Sequence, residues 1–247
     1  MRYALNLKKV KMIAVNDIKN VTRDGVLLFM MVIPFIIILA LRIMVPFAET
    51  LLLRELRFDL SVYYPFMAGF LLVLPPLMFG TIMGFILLDE RDEGILLYLS
   101  VTPITKSGYL FSRIGFFSLY SFLWGMVFPA CTGLVAFDFF KTIGAALLAA
   151  METSIIALFL AAFAADKIEG MAFSKACGIF FIAPFIGEFL HSRWQLLEGF
   201  SPPYWITKVF SAAYGDGRGI WWYFCGGLIV HGAVIGILAK KFAKRAG

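Results

Sequence analysis

Long apolar stretches separated by short charged segments run through almost the whole chain. Several of them reach the roughly 20 residues that a helix needs to cross a hydrocarbon core of about 30 Å. Glu152 is the single charge inside the fourth stretch, and Pro184 predicts a kink in the fifth. The pattern therefore predicts an all-α, polytopic protein with six transmembrane helices. We place them at residues 25–41, 60–88, 114–137, 142–165, 171–190 and 219–239.

The composition supports this interpretation. Of the 247 residues 61% are hydrophobic and only 15% are charged, and the mean hydropathy is +0.88. A water-soluble domain of this size has far more charge and less apolar content. The bilayer is thus the expected solvent for residues 25–247.

The distribution of Lys and Arg predicts the orientation. The two termini and the loops after spans two and four, counted with Lys175 near the start of span five, hold 15 of these residues, against seven in the other loops. Because basic residues favour the cytoplasmic side, we expect a multi-pass protein of the cell membrane with both termini in the cytoplasm. The net charge of +6 is then explained without a nucleic-acid partner.

Residues 1–24 precede the first span. They lack the apolar core and cleavage site of a signal peptide, so we expect the mature chain to begin near Met1. Apolar residues share one helical face here, which predicts an amphipathic helix along the inner leaflet. These are Val10, Ile13, Ala14, Ile18 and Val21. A solvated basic tail is the alternative.

The segment "LDERDEGILLYLSVTPITKSGYL", residues 88–110, interrupts the apolar pattern. Its charges at 89–93 cannot lie in hydrocarbon, since one Asp or Arg at a span centre costs about 2.5–3.5 kcal/mol. The apolar run 95–101 is too short to cross the membrane, and Pro103 disfavours helix at Thr102. We predict a short cytoplasmic helix within residues 89–107, held by two membrane helices. A loop without a partner is the alternative.

This segment resembles the coupling helix of type-2 ABC exporter permeases, whose usual form is E-R-E-x-G-T-L-x-x-L-x-x-T-P. The sequence of residues 89–113, together with "SPPYW" at 201–205, most resembles the corresponding sequences of permeases for fluoroquinolone-type drugs. Ile95 departs from the usual Thr, which puts a polar contact at that position in doubt. The resemblance is carried by Glu90, Arg91, Glu93, Gly94, Leu96, Leu99, Thr102 and Pro103.

The resemblance implies a separate cytosolic ABC ATPase that docks on this segment, and a second copy of the chain or a homologous permease. ATP and Mg²⁺ would be bound by that partner, because the chain has no GxxxxGK[ST] loop; we expect no cofactor here. The substrate would be a hydrophobic or amphipathic small molecule exported outward. The expected docking residues are Asp89, Glu90, Arg91, Glu93, Gly94, Leu96, Leu99, Thr102, Pro103 and Lys106.

Residues 188–218 separate the last two spans on the outer side and are too apolar for a free loop. The resemblance implies a re-entrant pair of short helices that forms an outer gate. This gate would be centred on Pro202, Pro203, Tyr204 and Trp205. An interfacial anchor without gating is the alternative.

Glu152 is the leading polar candidate within the membrane, because an intramembrane carboxylate is expensive and is often functional. It could attract a cationic amine or carry a proton, or it could simply bond to a neighbouring helix. Phe116, Phe117 and Trp124 are further candidates for the substrate path. His231, in span six, is interpreted as a packed histidine, with lining of a path or haem binding as alternatives.

Glycines recur with GxxxG spacing at Gly80 and Gly84 and again at Gly232 and Gly236. This spacing favours close helix packing inside one protomer, with a dimer seam as the alternative. Three cysteines, Cys131, Cys177 and Cys225, lack CxxC spacing and are expected to pack.

Two rival functions stay open. A haem-exporter permease of the cytochrome c maturation type has a similar size and a related loop. An integral-membrane enzyme or an ATP-independent scaffold is a different class, but the chain has no HExxH motif and no Ser or Cys nucleophile with an evident base. We therefore predict no catalytic and no metal site.

Overall fold

The computed structural model describes residues 22–23, 25–94, 106–189 and 198–246. Within these residues the secondary structure is helical, without strands. In these ranges one 3₁₀ helix, Leu60–Tyr63, accompanies nine α-helices. They are α1 (Gly25–Leu56), α2 (Tyr64–Leu71), α3 (Leu74–Asp92), α4 (Lys106–Thr132), α5 (Phe139–Phe163), α6 (Lys167–Phe180), α7 (Ala183–Phe189), α8 (Pro202–Tyr214) and α9 (Ile220–Ala246).

The described residues contain six helical stretches that are long and apolar enough to cross a membrane, which confirms the predicted number. Their bounds are Leu28–Leu56, Leu60–Asp92, Ser112–Thr132, Phe139–Phe163, Lys167–Ile186 and Ile220–Lys244. The fifth begins before the predicted residue 171. The N-terminal amphipathic helix predicted for residues 1–24 lies outside the described residues apart from Thr22 and Arg23.

Helix α5 is the centre of the bundle and packs against α3, α4, α6, α8 and α9. Small residues allow this. Gly80 and Gly84 of α3 bring the backbone so close to α5 that a Cβ at either would lie 2.7 Å from Ile156 or Leu160. The predicted packing role of this glycine pair within one protomer is confirmed. Gly232 and Gly236 of α9 have nothing within 4 Å of such a Cβ in the described chain.

Helix α1 continues to Leu56, well beyond the predicted end of span one at residue 41. Arg42 is tolerated inside this helix because its Nε donates to the carbonyl oxygen of Cys131 at 2.7 Å, near the C-terminus of α4. A cation at a helix C-terminus bonds unpaired carbonyls and matches the negative end of the helix dipole. Much of α1 presents apolar side chains outward, including Phe35 and Leu39.

Two breaks shape the second and fifth spans. The predicted turn near Tyr63 is present as the 3₁₀ helix, but span two also breaks at Leu72 and Val73, because the following Pro75 and Pro76 lack the N–H groups that would continue α2. The fifth span bends between α6 and α7, immediately before Pro184. The predicted kink is thus confirmed.

Candidate functional site

The acidic run lies at the C-terminal end of α3. The helix continues through Asp92, four residues past the predicted end of span two at residue 88, and Gly94 follows it with φ = 71°. Glycine adopts this left-handed conformation without steric penalty. The N–H of Gly94 donates to the carbonyl oxygen of Arg91 at 3.0 Å, so the turn closes the helix and redirects the chain.

Glu90 points into the protein interior. It is 5% exposed and forms an ion pair with Arg113 of α4, which is 4% exposed. The hydroxyl of Tyr109 donates to Glu90 Oε1 at 2.7 Å and accepts from Arg113 Nε at 2.9 Å. Burial raises the pKa of Tyr109 to about 12, which keeps this phenol protonated as a donor. The three side chains lock the end of α3 to the start of α4.

Arg91 connects the same end of α3 to the C-terminus of α5. Its guanidinium donates to the carbonyl oxygens of Ala161, Ala164 and Ala165, with 3.0 Å to Ala164. These carbonyls lie where the helix can no longer bond them internally. One guanidinium carries enough donors to serve all three.

An ion pair reinforces this junction: Nζ of Lys167, the first residue of α6, lies 2.9 Å from Asp89 Oδ2. We name the side chains of Asp89, Arg91 and Lys167, with the α5 carbonyls they reach, the α3–α5–α6 clamp. Of the five consecutive charges only Asp92 and Glu93 are exposed.

Most of the remaining predicted docking segment lies outside the described residues. Leu96, Leu99, Thr102 and Pro103 lie outside the described residues, as does Ile95. Lys106 is the first residue of α4. ATPase docking on residues 89–107 therefore stays a prediction. Glu90 and Arg91 would contribute to it indirectly, through the intramolecular contacts described above.

Glu152, in the middle of α5, faces His231 of α9. The side chains are 4% and 0% exposed, and Glu152 Oε2 lies 3.3 Å from His231 Nε2. The other ring nitrogen, Nδ1, lies 2.8 Å from the carbonyl oxygen of Gly227. This confirms His231 as a packed, hydrogen-bonded residue. Neither Oε2 nor Nε2 has a hydrogen-bond partner among the described atoms.

Glu152 also lines a cavity of about 240 Å³ between α5, α6, α8 and α9. Most of the wall is apolar, with Phe159, Phe180 and Phe181 on one side. Pro202 and Pro203 of the predicted outer gate complete it. The fold therefore brings the intramembrane carboxylate and two predicted gate residues to the same space.

The predicted outer region contains a well-packed helix, α8, in its described part. Tyr204 of α8 is 6% exposed, and burial raises its pKa to about 12. Trp205 donates from Nε1 to the carbonyl oxygen of Gly199 at 2.8 Å and covers Gly226 of α9 so closely that a Cβ there would collide with its ring. Re-entry of this helix from the outer side, and gating by it, stay predictions.

Two acids lie beside α8. Glu188 pairs with Lys208 at 3.1 Å. Glu198 is 8% exposed, and both carboxylate oxygens are buried without a hydrogen-bond partner among the described residues. Burial raises the pKa of Glu198, and the nearby Lys208 partly opposes the rise.

The remaining path candidates lie apart from the Glu152 cavity. Phe117 is buried, Phe116 is half-buried beside it, and Trp124 packs edge-on against Phe35 of α1 with ring centroids 4.8 Å apart. None of them lines the cavity that holds Glu152. A role for these three in transport stays a prediction.

Comparison with known proteins places the chain in a family. Residues 17–239 match the model of the Rv2686c-like fluoroquinolones export permease proteins. The chain belongs to this family. Two proteins named fluoroquinolones export permease, from Mycobacterium tuberculosis strains CDC 1551 and H37Rv, are each 30% identical over 236 residues, covering 94% of this chain and 93% of each relative. No solved structure matches.

Membership of the export-permease family confirms the predicted resemblance and makes the chain a membrane transport component. Two features of this permease escaped the sequence analysis. The buried Glu90–Arg113 pair looked like part of an exposed charged run, and a helical contact between residues 19 or more positions apart leaves no local signal. A second, wholly apolar cavity of about 410 Å³, lined by Leu41, Phe70 and Phe185 among others, was also missed.

Proposed function

We propose that the chain is the membrane subunit of an ABC exporter that moves a hydrophobic or amphipathic drug-like molecule outward, using ATP hydrolysed by a separate cytosolic subunit. Fluoroquinolones are the proposed substrate class, because the two relatives are named for their export. The proposed complex holds two permease copies, or this permease and a homologue, in the cell membrane with the termini in the cytoplasm.

The α3–α5–α6 clamp is the observation that carries this proposal. The segment that resembles a coupling helix follows α3 directly, and Arg91 and Lys167 join the end of α3 to the turn between α5 and α6. A push on the segment would therefore reach α5 through side-chain contacts. Helix α5 in turn carries Glu152 and contacts α8 of the outer region.

The mechanism follows from this connection. Closure of the ATPase around ATP displaces the coupling segment, and the clamp transmits the displacement to α5 and α6. Because the cavity wall is shared by α5, α6, α8 and α9, movement of the first two against the others would change the shape of the cavity and its outer rim. Spans one, two and five would repack in the process.

Co-expression with an ABC ATPase encoded beside this gene tests the proposal. We expect the two proteins to co-purify, and drug export to require ATP hydrolysis. Isolation of the permease without any ATPase, combined with export that persists when the ATPase is deleted, would overturn it.

Replacement of Arg91 tests the clamp within that complex. We expect Arg91→Lys to retain the ATPase but to lose most drug-stimulated ATP hydrolysis and export, because an ammonium cannot reproduce the planar set of donors. Arg54→Lys is the matched control, since Arg54 is 82% exposed near the end of α1. Equal export by both variants would show that the clamp does not transmit the motion.

A further inference from the structure

The Glu152 cavity combines features that are rare in a membrane protein interior. A carboxylate that is almost fully buried lines a space of about 240 Å³ whose other walls are mainly aromatic and aliphatic. A charged side chain at membrane depth is expensive and normally has a specific partner. The partner here is His231, and the contacts of the two side chains indicate which of their atoms carry protons.

The hydrogen bond to Gly227 fixes one proton of His231. A carbonyl oxygen can only accept, so Nδ1, at 2.8 Å from it, carries the hydrogen. In a neutral imidazole Nε2 is then an acceptor, and an ionised Glu152 is an acceptor as well. Two acceptors 3.3 Å apart would repel each other. One proton must therefore be held by the pair, either on Glu152 or on His231, and the pair is neutral as a whole.

The surroundings supply little else that can titrate. From α6, Cys177 lines the cavity, and from α9 His231 contacts the Glu152 carboxylate. Helix α8 contributes Pro203, α3 meets α5 through Gly80, and α4 meets it through a hydroxyl pair between Ser118 and α5 at 2.9 Å. Among the described residues, the proton of the Glu152–His231 pair is thus the one that a charged ligand in this cavity would affect.

The aromatic walls favour a cation. Phe159 and Phe181 flank the carboxylate's cavity, and ring faces attract organic cations, most strongly when water is excluded. Phe180 and Phe200 line the same cavity and are 58% and 80% exposed, so the cavity reaches the outer surface of the bundle at this rim. A ligand with a compact positive head and an apolar body fits both the carboxylate and the rings.

We propose that this cavity binds a small amphipathic cation and that the bound cation replaces the proton shared by Glu152 and His231. In the exchange one positive charge enters and one proton leaves to bulk water. Glu152 is left ionised beside the cation, and His231 is left neutral with its hydrogen on Nδ1. Charge balances without a further reactant. To describe the cation as the exported substrate rests on the proposed function, whereas binding and proton release do not.

Calorimetry on the purified full chain in nanodiscs, without an ATPase, tests this exchange. The probe is benzyltrimethylammonium, a permanent cation, and its control is neopentylbenzene, in which carbon replaces the nitrogen. We expect the cation to bind and the neutral isostere not to bind above the background of empty nanodiscs. Binding heats in buffers of different ionisation enthalpy should report one proton released. The affinity for the cation should then rise about tenfold per pH unit while the pair is protonated.

Glu152→Gln should abolish both cation binding and proton release, while Ser154→Ala, which changes a hydroxyl elsewhere on α5, should leave both intact. If Glu152→Gln fails to fold, the dependence of the binding heat on the buffer, measured on the unmodified chain, still tests proton release. Equal affinity for the two probes, no binding of the cation, or cation binding without proton release would each overturn the proposal. Since no ATPase is present, these results are independent of whether the chain exports drugs.

Discussion

At the scale of single residues, burial determines what Glu90 can do. Its carboxylate is paired with Arg113 and Tyr109 inside the protein. We expect Glu90→Ala to lower the free energy of unfolding by about 3–5 kcal/mol, because it leaves a buried guanidinium without its counter-ion. Denaturation of the purified variants in detergent measures the change.

Two further variants control this prediction. The double variant Glu90→Leu with Arg113→Leu should recover most of the loss, since it removes both charges from the interior. Asp92→Ala should change stability by less than about 1 kcal/mol, because Asp92 is 46% exposed and its pairing with Arg91 is a surface contact. A Glu90→Ala variant as stable as Asp92→Ala would show that the pair contributes little. Glu93, which is exposed, is the better position for a test of docking.

Glu198 gives stability a pH dependence. Burial raises the pKa of the Glu198 carboxyl in the folded protein above its value in the unfolded chain. The stability that depends on the protonated carboxyl is therefore complete below the unfolded pKa, and it is lost as the pH rises through the folded pKa. We therefore expect Glu198→Gln to have a higher melting midpoint than the parent at neutral pH, with the difference vanishing in acid. Melting curves across this range provide the measurement.

Glu55→Gln is the matched control, because the Glu55 side chain is 65% exposed and its replacement should leave the pH profile unchanged. A Glu198→Gln variant whose advantage is the same at every pH would mean that ionisation of this carboxyl is not responsible.

At the scale of elements, the contact between α3 and α5 depends on the absence of side chains at two positions. A Cβ at Gly80 would lie 2.7 Å from Ile156 Cβ and 2.9 Å from the carbonyl oxygen of Thr153. Backbone cannot yield as a flexible side chain does. We expect Gly80→Ala to destabilise the protein by about 1–3 kcal/mol, the range for overpacked cores.

Gly115→Ala, within α4, provides the comparison, because nothing lies within 4 Å of its added Cβ and alanine is the better helix former. It should be neutral or stabilising in the same unfolding assay. Similar losses for both variants would indicate a general effect of the substitution and not close packing of α3 against α5.

The elements differ in how far sequence could predict them. The length of an apolar stretch determines whether it can span a membrane, so all six spans were predictable, and Pro184 predicted the bend before α7. The break at Leu72 was not predicted. Pro75 and Pro76 indicate it, but they lie in an apolar run without a charge, which was interpreted as one span. Contacts such as Arg91 with the α5 carbonyls, 70 or more positions away, depend on helix packing and have no local pattern. Glu152 was found as a lone charge, whereas its pairing with His231 required the fold.

At the scale of the whole molecule, aromatic residues indicate where one membrane surface lies. Phe140 opens α5, and Trp221 and Trp222 open α9, all strongly exposed. Tryptophan is enriched at membrane interfaces, and in the predicted topology α5 begins at the same end of the bundle as α9. In the same predicted topology most of the Lys and Arg residues of the sequence belong to the opposite side, as expected for the cytoplasm.

This arrangement predicts the sidedness of two exposed positions. Asp216, with a side chain 63% exposed between α8 and α9, should face outward, whereas Lys244 near the end of α9 should face the cytoplasm. In a background with Cys131, Cys177 and Cys225 replaced by Ala, a membrane-impermeant maleimide should label Asp216→Cys in intact cells. Lys244→Cys should react only after permeabilisation. The reverse pattern would invert the topology and place the clamp outside, where no ATPase could reach it.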